Sequence, residues 1–167
     1  MTRLFGSTNG KYGLFEISDD QKGKIQMPAA LADSWIEALR SGQYIQGKEA
    51  LAELTKDGNI NGYCCLGVLE MVVDGQVEFQ RTYVGRNEPR VTPSSEWLRK
   101  NDVRFWQNCL GQQGFTDRAG NPNDNPQFYI RAPDTFSPIL VSIAELNDRG
   151  YTFDEIADII EFLIKRL

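Results

Sequence analysis

The sequence predicts a single α+β domain over residues 1–167, a small antiparallel sheet packed against about four helices and ending in a C-terminal helix pair. Three observations carry this expectation. Two well-punctuated helical segments, 138–148 and 153–166, follow one another with only a short turn between them. A third segment, 28–41, repeats apolar residues every three to four positions. The rest is short, turn-bounded and locally alternating, which suits strands better than helices. At 167 residues, with 41% hydrophobic and 25% charged content, the chain is long enough for a core and ordinary for a globular protein.

Residues 1–27 read as short strands. An Asn9-Gly10 turn between Leu4-Phe5 and Tyr12–Phe15 predicts a hairpin, and Asp19–Gly23 marks a second turn. The first helix opens at Pro28, whose missing N–H costs nothing in a first turn. Leu31, Trp35, Ile36 and Leu39 share one side of it, and Gly42 supplies the left-handed residue after its end. Glu49–Leu54 reads either as a short helix or as one arm of a hairpin. The apolar run Tyr63–Val73 favours a buried helix over 64–73. There Gly67 costs about 1 kcal/mol unless a neighbouring backbone packs against it.

Residues 76–83 alternate like a strand, with a return at 90–92, and Ser94 or Ser95 caps a short helix through Trp97 and Leu98. From Asp102 to Pro133 the chain is rich in loops, with Asp117–Pro126 a surface turn and Phe128–Ile130 a strand leaving it. Ser137-Pro138 reads as an N-cap and first-turn proline, and Gly150 as the stop. Thr152 and Glu155 form a capping box, with Tyr151 stapling to Ile156. Ile159 and Phe162 widen the apolar face of this last helix, which implies either deep burial or a second partner such as another copy of the chain.

Composition excludes several functions. A net charge of −5, from 18 basic and 23 acidic residues, argues against general nucleic-acid binding. A central stretch does carry Arg81, Arg86, Arg90, Arg99, Lys100 and Arg104. Three cysteines, two of them adjacent, make no disulfide framework. The lack of a secretory signal or an 18-residue apolar run implies a cytoplasmic protein with no membrane partner. Histidine is absent altogether, which removes histidine triads, histidine general bases and HExxH metal sites. Cys64, Cys65 and Cys109 lack ligand spacing and a fourth donor, and Cys64 and Cys65 read as buried hydrophobes. No phosphate-binding glycine loop occurs. No metal or cofactor is expected, and an enzyme is the weaker expectation.

Three segments resemble a family of small proteins encoded by tailed bacteriophages and prophages. They are Trp35–Gly47 (WIEALRSGQYIQG), Tyr63–Leu69 (YCCLGVL) and Leu146–Ala157 (LNDRGYTFDEIA). The chain departs from that family where a further cysteine often follows the Gly-Val-Leu run and Glu70-Met71 stand here. Residues 76–133 look longer than usual, a family-variable β/loop insertion. The resemblance implies a role in infection but no reaction.

Two candidate ligand-binding groups follow. Asn147-Asp148 at a helix end is expected to face Arg40, Tyr44 and Gln46 in a small polar pocket. Arg104 beside Trp106 makes a stacking platform for a base or a protein hot spot. The favoured expectation is a non-enzymatic phage accessory protein, acting in the cytoplasm of an infected bacterium, that sequesters a small nucleotide-like ligand. The alternative is a module that inhibits or redirects a host protein, and a metal-dependent hydrolase ranks third.

Overall fold

The computed structural model describes residues 2–105, 125–133 and 135–167, and its architecture is α+β. Strands β1 (Thr2–Gly6) and β2 (Leu14–Ser18) form the expected hairpin, with Phe5 opposite Phe15. Its loop wraps around Tyr151. The Tyr151 hydroxyl donates to the Gly13 carbonyl at 2.9 Å and accepts from the Tyr12 amide at 3.0 Å. Gly10 lies so close that a Cβ there would fall 2.2 Å from the ring.

A single 3-10 turn, Asp19–Gln21, leads to β3 (Ile25–Met27). Helix α1 (Ala29–Arg40) begins one residue later than expected, because Pro28 takes the N-cap position with extended ψ. Ala32, Trp35, Ile36 and Leu39 are its buried stripe, and the Trp35 indole donates to the Cys65 carbonyl at 2.9 Å. The open alternative at 49–54 resolves as a hairpin arm. Strand β4 (Ala52–Leu54) pairs antiparallel with β5 (Ile60–Tyr63).

The apolar run becomes helix α2 (Cys65–Asp74), buried from Cys65 through Glu70. Gly67 meets the condition set for it, since a Cβ there would lie 1.8 Å from the Leu51 carbonyl oxygen. Strands β6 (Phe79–Arg81) and β7 (Asn87–Pro89) form a third hairpin, whose return arm comes earlier than the predicted 90–92. Ser94 caps α3 (Ser95–Lys100), and β8 (Arg104–Phe105) follows.

Strand β9 (Gln127–Ile130) fulfils the expectation for 128–130. The segment after it corrects the sequence reading. Ile139–Ser142 is a strand, β10, antiparallel to β9, and helix α4 is only Ile143–Asp148. Ile139, Leu140 and Val141 lie opposite Ile130, Tyr129 and Phe128, a pairing that suits branched side chains on a half-buried ribbon. The cap is therefore Ser142, whose Oγ accepts the Glu145 amide at 3.0 Å, and Pro138 precedes a strand.

Helix α5 (Phe153–Leu163) has the expected capping box of Thr152 and Glu155. It stops before 166. The Leu163 carbonyl accepts the Gly23 amide at 2.7 Å, and β11 (Ile164–Arg166) then runs parallel to β3. A free edge on β3 captures the chain end more favourably than one more helical turn.

Among the described residues the strands divide into four two-stranded ribbons and one three-stranded sheet, β11-β3-β8, instead of forming one sheet. The helices unite them, α1 packing on both α2 and α5. Ile159 and Phe162 are buried within the chain, Phe162 meeting Phe5 edge to face at 5.2 Å, so no second copy is needed to cover them. No helix of the described residues is long and apolar enough to cross a membrane.

Candidate functional site

Asn147, at the end of α4, is 1% exposed and uses both halves of its amide. Oδ1 accepts the Cys65 amide at 3.2 Å and Gln46 Nε2 at 3.0 Å. Nδ2 donates to the Gly47 carbonyl at 2.8 Å. The Cys65 amide is a first-turn donor of α2, which has no partner inside its own helix. Cys64 supplies a weak cap of its own, its sulfur accepting the Gly67 amide at 3.4 Å. Asn147 thus completes the capping of α2 from a distant element.

Gln46 also donates to the Tyr151 carbonyl at 2.8 Å, and Asp148 accepts the Glu49 amide at 2.9 Å. Glu49 has a left-handed φ of 71°, costly for a residue with a Cβ, and the Asp148 contact holds it there. Gly47 and Gly62 let two backbones approach, each lacking a Cβ that would sit 3.1 Å from the other strand. Gln46-Gly47, Cys64–Gly67 and Asn147–Tyr151 therefore meet in one place.

Of the predicted pocket residues, Gln46, Asn147 and Asp148 come together, and their polar atoms bond to the protein itself. Tyr44 stacks edge to face on Tyr63 at 5.6 Å. Arg40 turns to α5, with Nη2 2.7 Å from both Asp158 and Glu161. Arg104 lies on β8, paired with Gln26 of β3. Trp106 and Cys109 lie outside the described residues, as does most of the 117–126 turn. Burial pushes the Cys64 thiol up to about 11 and the Cys65 thiol well above its ordinary value, so both are neutral.

The sequence reading missed a pair of acids. Glu70 of α2 is 0% exposed, its Oε1 accepting the Glu78 amide at 2.7 Å. Glu78 accepts the Ser94 amide at 2.8 Å and the Ser94 hydroxyl at 2.6 Å. Burial, with the Glu78 carboxyl alongside, raises Glu70 to about 9, while Glu78 is lowered by its hydrogen bonds to Glu70 and Ser94 despite partial burial. The signal was a lone acid inside an apolar run. Two carboxyl groups with separated pKa values resemble an acid–base pair, but an inaccessible Glu70 reaches no substrate.

The β6–β7 hairpin departs most from the packed interior. Its base is tied in, Leu51 donating to the Arg90 carbonyl at 2.8 Å and Val77 and Pro89 buried. Its turn carries Tyr83, 101% exposed, and Val84 in water between Arg81 and Arg86, while Phe79 at its base and Val91 beyond it are also exposed. A separate cleft of about 640 Å³ lies between the first hairpin and β9, lined by Glu16, Asp20, Gln21, Tyr129 and Arg131 among others.

Residues 27–164 match the model of a domain of unknown function, DUF8296, and the chain belongs to that family. No curated protein and no solved structure matches it.

Proposed function

We propose that this member of the DUF8296 family is a non-catalytic binding protein that docks the β6–β7 hairpin onto a partner protein of a bacterial host. The carrying observation is the turn of this ribbon, where Tyr83 and Val84 stay in solvent between Arg81 and Arg86, with Phe79 and Val91 exposed near its base. A two-stranded ribbon with an aromatic–arginine tip is poorly suited to stand in water for its own stability. Tyrosine and arginine are the residues from which interface hot spots are commonly built. A phage setting, implied by the three sequence segments, fits a protein that redirects a host component.

The test is capture from bacterial lysate with the wild type and a Tyr83→Ser, Val84→Ser variant. Both side chains are largely free of intramolecular contact, so the variant is expected to keep its melting temperature and lose the captured protein. Equal capture by the two would defeat the proposal.

A second reading, a small nucleotide-like ligand, is favoured by Tyr129 and Arg131 in the 640 Å³ cleft. It ranks lower because Glu16 and Asp20 line the same cleft and oppose phosphate. A thermal-shift screen with linear and cyclic nucleotides tests it, and no shift with any of them ends it.

A further inference from the structure

The Glu70 side chain presents a buried polar atom that the chain itself leaves without a donor. Its Oε1 accepts the Glu78 amide, while its Oε2 is sealed from solvent with no N–H or hydroxyl donor near. The Glu78 carboxyl lies alongside the Glu70 carboxyl, close enough to raise its pKa. Both Glu78 oxygens already accept from Ser94, one from the amide and one from the hydroxyl. Two ionised carboxylates in such contact repel, and an unpaired buried acceptor is destabilising. One proton removes both penalties.

We propose that Glu70 and Glu78 form a proton-binding site, and that the shared proton clasps the base of the β6–β7 hairpin and the start of α3 onto α2. Glu70 carries the proton and donates it from Oε2, and Glu78 stays ionised because Ser94 supplies two donors. The other groups facing the pair fit this division. Asp74 on α2 disfavours a second negative charge at Glu70 and is itself engaged by the Trp97 indole at 2.6 Å, while the nearby Cys64 thiol is neutral. Arg90, across the ribbon, favours the charge on Glu78. The site is independent of what the hairpin binds.

The sign follows from linkage. A carboxyl whose folded pKa lies near 9 and whose released pKa is near 4.5 binds more protons when clasped than when open. The clasp is therefore strongest near pH 4.5, where Glu70 is protonated and Glu78 still ionised, weakens as pH rises between those two values, and changes no further above about 9. In that window the opening equilibrium rises by about tenfold per pH unit.

Amide hydrogen exchange at Glu78 and Ser94, corrected for the intrinsic pH dependence of exchange, reads this directly. Wild-type protection is expected to fall by about tenfold per pH unit from 5 to 9. In Glu70→Gln a carboxamide donor replaces the proton, and protection is expected to be independent of pH. Infrared spectroscopy at pH 7 is expected to show a protonated-carboxyl carbonyl band. That band should be missing from Glu70→Gln, and shifted in Glu78→Gln, where a neutral carboxamide replaces the carboxylate that accepts the proton. A wild type without that band, or with protection flat in pH, overturns the proposal. The same pH slope in Glu70→Gln overturns it too. If Glu70→Gln does not fold, the wild-type band and its shift in Glu78→Gln still decide, an unshifted band overturning the proposal.

Discussion

Asn147 caps α2 from the far end of α4, its Oδ1 standing 3.2 Å from the Cys65 amide. Truncation would strand that amide, one N–H of Gln46 and the Gly47 carbonyl together. Asn147→Ala is expected to cost about 3 kcal/mol in urea unfolding. Asn147→Asp should not rescue it, because the donor to Gly47 is lost and a charge is added beside Asp148. A loss below about 1 kcal/mol would show that water replaces the amide without penalty.

Gly67→Ala tests the close approach of two backbones. Helix propensity alone would favour alanine by about 1 kcal/mol. The new methyl would have to displace the Leu51 carbonyl, 1.8 Å away, so a net destabilisation of about 2–3 kcal/mol is expected by chemical denaturation. A stabilised variant would place Leu51 elsewhere.

Arg40 is a contrasting case. Its side chain is 39% exposed, and those of Asp158 and Glu161 are 55% and 48% exposed. Solvent screening leaves such a pair worth little, so Arg40→Gln should lower stability by less than about 1 kcal/mol. Added salt should shrink the difference between the two proteins further, which thermal melts at two ionic strengths would show.

Cys64 and Cys65 should resist alkylation in the native protein at pH 8. Both are buried, and Cys64 is held near 11, so almost no thiolate exists to react. Mass spectrometry of the peptide spanning both residues should find it unmodified before unfolding and doubly modified in guanidinium chloride. Rapid native labelling would refute the burial of the pair.

Much of the helical framework was legible because its punctuation is local. Thr152 with Glu155, Gly42 after α1 and Ser94 before α3 each announce a boundary within a few residues. The two errors came where a partner strand decided the outcome. Ile139–Ser142 has helix-like neighbours, yet β9 claims it, and Ile164–Arg166 leaves its helix for the edge of β3. β3 stands near the other end of the chain, and β9, although it is the preceding element, is joined to Ile139 through a proline-containing turn that reads as a helix start. Gln46, Asn147 and Asp148 could be grouped from the sequence, but not their saturation by backbone groups. Glu70 was visible as a polar residue in an apolar run; that Glu78 and Ser94 would meet it depended on how the chain turns back after α2.

The bonds that join the three converging segments are long-range, spanning 82, 101 and 105 positions. Closing loops of that size sacrifices chain freedom before any contact returns it, which slows assembly relative to locally wired helical proteins. Helices α1 and α5 can flicker into existence early, whereas α2 keeps an unfinished amino end until residues near 147 arrive. Damage at Asn147 should consequently leave the speed of folding little changed and shorten the lifetime of the finished molecule.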